Sequence, residues 1–226
     1  MRTVPVRVAL FRLSSLLAAL APAAYSAAGT LEVSVVDEGG RPIEDVAVYA
    51  TPLSSAPAQS RSAPKRTAVM DQQHNAFVPH VLIVSAGTEV RFPNSDVVSH
   101  HVYSFSQAKT FELGLYKGNA YPPLVFDEPG VVVLGCNIHD SMLGYIVVVP
   151  TEHYALSDER GTTRLEDLPA GDYTVEAWTP RARATGLPAA QRVTVADGVA
   201  NVGVRITGRL SPEHEHGSTS LSWDRY

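Results

Sequence analysis

An all-β fold is predicted for this 226-residue chain by three features. Short segments alternate apolar and polar residues with the two-residue period of a strand. Gly, Pro, Asn and Asp recur between those segments, where turns are needed. Almost no stretch carries the three-to-four-residue apolar period of an amphipathic helix.

Residues 1–28 read as a secretory signal peptide. Arg2, Arg7 and Arg12 supply positive charge, Leu13–Ala24 is a short apolar run, and "AAYSAAG" offers small residues for cleavage after Ala27 or Ala28. A run of that length is shorter than the ~20 residues that span a bilayer. No later stretch is long and apolar enough, so a soluble protein is expected, periplasmic or otherwise exported. The whole chain has 18 Lys+Arg and 23 Asp+Glu. Removing three arginines and no acid leaves 15 basic against 23 acidic residues, a net −8. That balance argues against nucleic acid as a partner, because binding a polyanion needs basic clusters.

The elements follow in order. "LEVSV" (Leu31–Val35) is a strand, "DEGGRP" a turn and "VAVYA" (Val46–Ala50) the next strand. The Pro-, Ser- and Ala-rich stretch that follows contains a linker over residues 56–66. Strands resume over residues 67–150. "HVLIVSAGTEVRFPNSD" gives two strands about a turn at Ala86–Gly87, with Val90 and Phe92 opposing Glu89 and Arg91. "HHVYSFS", "LVFDEPGVVVLGC" and "GYIVVVP" supply the rest. Beyond Pro150, "LPAGDYTVEAW" is a turn and a strand, and "RVTVADGVANVGVRI" a late strand pair. The polar tail, residues 208–226, is expected to be disordered.

The outer pieces resemble the carboxypeptidase-regulatory-like, prealbumin-type β-sandwich. The matching residues are Gly40–Arg41–Pro42–Ile43 between the first two strands and "DLPAGDYTV" (Asp167–Val175). The resemblance implies a second, prealbumin/Ig-like sandwich split into residues 29–55 and 151–207, with residues 67–150 inserted between its second and third strands.

The chemistry concentrates in "GCNIHDSMLGY" (Gly135–Tyr145), which holds the chain's one cysteine. An exported chain meets oxidising conditions, and one cysteine cannot pair within it. Cys136, His139 and Met142 lie on a tight loop between two strands, able to turn a thiolate, an imidazole and a thioether toward one centre. A further donor must come from another strand, and "SHHVYSF" offers His100 and His101. Two imidazoles and a thiolate with a weak axial methionine form a blue-copper electron-transfer set. Zinc is the rival ion, but methionine is a poor ligand for it. His74 and His80 read as surface or hydrogen-bonded residues, and "EHEH" (Glu213–His216) as part of a solvated tail.

The 67–150 block resembles the cupredoxins, Greek-key β-sandwich blue copper proteins that include plastocyanin, pseudoazurin and amicyanin. "FVPHVLIVSAGTEVRFPNSD", "SHHVYSF" and "CNIHDSM" carry the likeness, and the short C-x-x-H-x-x-M loop is most similar to amicyanin. The wording around "HHVYSFS" and "GCNIHD" also resembles exported proteins of the methylamine-utilisation type. The resemblance implies one copper per chain, cycling between Cu(II) and Cu(I), with His100, Cys136, His139 and Met142 as ligands. His100 is preferred over His101 because the family's ligand precedes an Asn–Val pair. That puts His101 where the family has a loop-tying Asn; alternatively, strand alternation turns it outward as a surface residue. Asn94 is a candidate supporting residue, Gly135 a point of close backbone approach, and Ser141 and Leu143 part of a docking patch. A redox partner protein, a dehydrogenase or a cytochrome, is implied. No catalytic constellation stands out, so the expected role is electron transfer and not an enzyme's. The alternatives are a copper carrier or chaperone and a metal-free adhesion or recognition module.

Overall fold

A computed structural model describes residues 28–54, 66–182 and 189–211. The signal peptide through Ala27, linker residues 56–65 and tail residues 212–226, with "EHEH", lie outside the described residues. Within them the fold is all-β. Its strands are β1 (Ala28–Val36), β2 (Ala47–Pro52), β3 (Thr67–Val69), β4 (Asp71–Gln73), β5 (Ala76–Val78), β6 (Val81–Ser85), β7 (Thr88–Arg91), β8 (His100–Ser106) and β9 (Lys109–Tyr116). There follow β10 (Leu124–Phe126), β11 (Gly130–Gly135), β12 (Leu143–Val149), β13 (Tyr154–Leu156), β14 (Thr162–Pro169), β15 (Gly171–Trp178), β16 (Ala189–Val195) and β17 (Val199–Arg205). No helix among the described residues is long and apolar enough to cross a membrane.

Two sheets draw strands from both ends of the chain. One has the order β14-β1-β17, the other β13-β2-β15-β16. β1 runs parallel to β17, with Val33 opposite Val202, and antiparallel to β14. Alternation along β1 buries Leu31, Val33 and Val35 against Leu168, Val175 and Val204 in one apolar cluster. Burying each such side chain stabilises by roughly 1.5–3 kcal/mol.

Residues between Met70 and Val148 build a separate cluster. It lies between the sheet β6-β12-β11-β8-β9 and the strands β10-β7-β3. Val90 and Phe92 are buried, Glu89 is half-buried and Arg91 exposed, as the alternation requires. A third, smaller cluster joins Ala47 to Val81, Val147 and Val149, with Tyr145 and Trp178 packed on it at 5.5 Å between ring centroids.

β3, β4, β5, β13 and β14 are strands beyond those expected, and two further segments differ as well. Lys109–Tyr116 forms β9, a strand not among those expected although Phe111, Leu113 and Leu115 alternate with Thr110, Glu112 and Gly114; the register with β8 shifts at Gly114–Leu115, which leaves Leu115 exposed and buries Tyr116. Residues 208–211, grouped by the sequence with a disordered tail, are tied down. The Gly208 amide donates to Glu38 Oε1 (2.8 Å) and the Ser211 amide to the Arg181 carbonyl (2.8 Å). Those partners lie far off in sequence, so composition alone cannot register them.

His153, beside the Tyr173 ring at 6.3 Å, titrates below the ordinary imidazole value of 6.5. Burial lowers it and outweighs the opposing pull of the Glu166 carbonyl, Glu152 and Asp167. The folded state thus takes up this proton at lower pH than the unfolded chain. The stabilisation is fully present above about pH 6.5 and is lost as pH falls through the folded value. Between about pH 7.5 and 5.5 the denaturation midpoint of the wild-type chain is expected to fall further than that of His153→Leu. Equal falls would remove His153 as a cause.

Candidate metal centre

β11 and β12 pair up to Gly135 and Leu143, so Cys136–Met142 closes the end of a hairpin. The Met142 amide donates to the His139 carbonyl (2.9 Å), tightening the loop. The Ile138 amide lies 3.5 Å from Cys136 Sγ and donates to it. β8 runs beside β11, with Tyr103 opposite Gly135, and its first residue is His100. The fold thereby brings together residues that are far apart in the chain. One donor atom each from His100, Cys136 and His139 lies within 4.8 Å of the others. The two imidazole rings stand 5.0 Å apart at 61°. His100 is fully buried, Cys136 is 4% and Met142 2% exposed, and His139 is half-buried. Met142 shares the apolar cluster of Cys136.

Nδ1 of His100 and Nδ1 of His139 are buried without a hydrogen-bond partner. Leaving such a group unsatisfied costs about 1–3 kcal/mol. Two of them, on neighbouring rings beside the cysteine, fit a cation that accepts nitrogen and sulfur donors.

A carboxylate fixes the first ring. His100 Nε2 lies 3.0 Å from Asp96 Oδ2. The same carboxylate accepts from the Asn75 and Val97 amides, at 2.8 and 2.7 Å. The Asn75 amide, then the His100 imidazole, hold Asp96 down at about 2 against burial. An ionised carboxylate can only accept, so Nε2 carries the proton and the Nδ1 lone pair is free for a metal. Asn94 supports this turn. Its Oδ1 accepts from the Asp96 amide (2.9 Å) and its Nδ2 donates to the Val98 and Tyr116 carbonyls. The sequence reading named Asn94 but missed Asp96. The signal was the Asp–His spacing of four in "DVVSH".

His101 is a correction. It is only 8% exposed, not a surface residue, and its Nε2 meets Glu112 Oε1 at 2.9 Å. Its Nδ1 is also unpartnered, but the ring packs on Tyr103 (5.8 Å) and does not join the three-residue group. His101 keeps the face opposite His100, in a row with Tyr103 and Phe105, and is buried there beside Tyr103 and Glu112. His74 is exposed in a tight turn with φ of 53°, and His80 Nδ1 bonds the Leu143 carbonyl (3.1 Å). Ser141 is exposed and Leu143 half-buried. The more open apolar side chains on the two loops are Ile138 and Val97, 53% and 82% exposed.

No protein-family model and no curated protein matches this chain. Among solved structures it is similar to a purple cupredoxin from Nitrosopumilus maritimus, at 22% identity and a TM-score of 0.32, over 38% of this chain and 100% of that one. It is also similar to a reduced amicyanin variant, at 23% identity and a TM-score of 0.34, over 45% of this chain and 99% of that one. A second amicyanin variant, in its Cu(I) form at pH 4, matches at 24% identity with the same TM-score and coverage.

Proposed function

We propose that this chain is an exported type 1 copper protein that carries single electrons, with His100, Cys136, His139 and Met142 as ligands. The observation that carries the reading is the pair of buried, unpartnered Nδ1 atoms on His100 and His139 beside Cys136. Cys136 would supply the thiolate, the two histidines the equatorial nitrogens, and Met142 the weak axial sulfur. Copper, when bound there, supplies a one-electron couple between Cu(II) and Cu(I). The chain's own part is to hold the donors still. Asp96 orients His100, the β11–β12 hairpin end carries the other three, and burial of Cys136 and Met142 keeps water out. Four protein donors leave no open position for a substrate, which disfavours an enzyme.

Residues 29–55 and 151–207 are read as one split sandwich that carries the 67–150 block, in keeping with the β1–β17 and β2–β15 pairings. A redox partner protein, a dehydrogenase or a cytochrome, is the proposed partner, and the periplasm or cell exterior the proposed location.

The test is a Cu(II) titration followed by visible absorption and electron paramagnetic resonance. An intense thiolate-to-copper band with narrow hyperfine splitting is expected. Weak absorption with ordinary wide splitting would overturn the site. Rapid copper transfer to an acceptor without a reversible couple would favour a copper carrier.

Two variants probe the donors separately. Asp96→Asn is expected to weaken copper binding by about 10–100-fold, the usual effect of losing a carboxylate behind a ligating histidine. Unchanged affinity would remove Asp96 from the site. Met142→Gln is expected to keep copper and shift the reduction potential. Complete loss of binding would show that Met142 is not a weak axial ligand.

A further inference from the structure

Two glycines stand at the neck of the Cys136–Met142 loop, and each has an aromatic ring where a side chain would sit. A β-carbon on Gly135 would lie 2.6 Å from Tyr103 Cζ and 2.7 Å from its hydroxyl oxygen. One on Gly144 would lie 2.8 Å from Phe77 Cβ and 3.0 Å from Cγ. Carbon atoms in favourable contact stay roughly 3.5–4.0 Å apart. Neither glycine has a positive φ, so the backbone conformation does not call for glycine. The rings do.

The two rings press from opposite faces of the sheet. Leu134 and Cys136 point into the central cluster, so position 135 between them faces outward, toward Tyr103. Tyr145 faces out toward Trp178, so position 144 before it faces inward, toward the fully buried Phe77. Leu134 pairs with Gly144 and Gly135 with Leu143, so both contacts fall on the last two rungs before the loop.

We infer that Tyr103 and Phe77 are positioning residues that grip the neck of the loop from both faces and hold Cys136, His139 and Met142 in place before any metal binds. This rests on the reading of Cys136–Met142 as the metal-holding loop. The two halves are unequal. Phe77 meets Gly144 through its own Cβ, which cannot swing away, and it forms a fixed post. Tyr103 meets Gly135 through the far end of its ring. It is half-buried in a row between His101 and Phe105, at 5.8 and 5.2 Å, and forms a cover that can be removed without emptying the core.

The experiment uses the full metal-free chain and follows iodoacetamide alkylation of Cys136 together with amide hydrogen exchange over Cys136–Met142. A buried thiol reacts through local opening, so both rates report how firmly the loop is held. Tyr103→Ala, which removes the ring, and Gly135→Ala, which displaces it, are each expected to raise both rates about tenfold. Tyr103→Phe keeps the ring and is expected to stay within about twofold of wild type. Amides of the β1–β17 pair are expected to be unchanged in all three. Wild-type rates in Tyr103→Ala and Gly135→Ala would overturn the inference. So would equal loosening of the loop in Tyr103→Phe, or an equal rise across β1–β17. If Tyr103→Ala fails to fold, Gly135→Ala and Tyr103→Phe still decide the matter. Failure of wild-type protein to give the copper band would defeat the metal reading alone, because the grip is measured without metal.

Discussion

Cys136→Ala is expected to abolish the intense visible band of the Cu(II)-loaded protein. That band needs a thiolate bound to the ion, and the chain has one cysteine. Two imidazoles remain in the variant, so any copper still held there is expected to bind weakly, with ordinary spectral parameters. The loss of affinity should exceed the roughly hundredfold that follows from removing a supporting partner of a ligand. The fold should survive. Cys136 sits in the central cluster as a small buried side chain, and trimming it to alanine leaves a small cavity worth about 1 kcal/mol. A circular-dichroism melt close to wild type would separate ligand loss from unfolding. An intact band in the variant would sink the assignment of Cys136.

Gly161→Ala is expected to cost about 2–4 kcal/mol, read from the denaturant midpoint. Two effects add. Gly161 has a φ of +69°, in the left-handed region that side chains disfavour. A β-carbon there would also lie 2.4 Å from the Val35 carbonyl oxygen and 3.0 Å from the Ile43 amide nitrogen. These are backbone atoms and cannot rotate away. The Val35 amide already donates to the Gly161 carbonyl at 2.7 Å, so any shift that relieves the clash strains that bond too. The damage falls on the cluster of Leu31, Val33 and Val35, not on the cluster that holds Cys136 and Met142. At moderate temperature the copper band should therefore persist while the midpoint drops. A cost below about 0.5 kcal/mol, the range of an ordinary surface change, would refute the argument.

The two variants divide the molecule along its physical seam. One removes chemistry and spares the packing, and the other strains packing and spares the chemistry. The small cluster of Ala47, Val81, Val147 and Val149 is the route by which strain in one part could reach the other. A copper band lost together with the Gly161→Ala fold would make that seam a strong coupling.

Much of this protein is legible in its residues because the relevant physics is local. A strand buried on one face must alternate, so β1 and β7 can be read from the order of their residues, while β6 and β12 read as short apolar runs beside turn residues. The turn at Ala86–Gly87 needs a left-handed residue, and Gly87 has a φ of +87°. The spacing of Cys136, His139 and Met142 puts three donors on one short loop whatever the rest of the chain does. Other features depend on atoms brought near by packing, and no sequence window contains both partners. Asp96 bonds His100 within one turn, yet the Asn75 amide that also holds its carboxylate comes from another strand connection. Burial of His101 depends on Tyr103 beside it and on Glu112 from β9, a contact between paired strands. The two neck glycines look like ordinary strand glycines until Tyr103 and Phe77 are seen lying on them. By itself, then, the sequence determined most of the longer strands, the turns and the Cys136–His139–Met142 spacing, because these follow from periodicity and covalent spacing, while the choice of His100 came from the family resemblance. Only the tertiary structure decided which nitrogen each histidine presents, what stands behind it and what grips the loop, because those depend on through-space contacts between strands far apart in the chain.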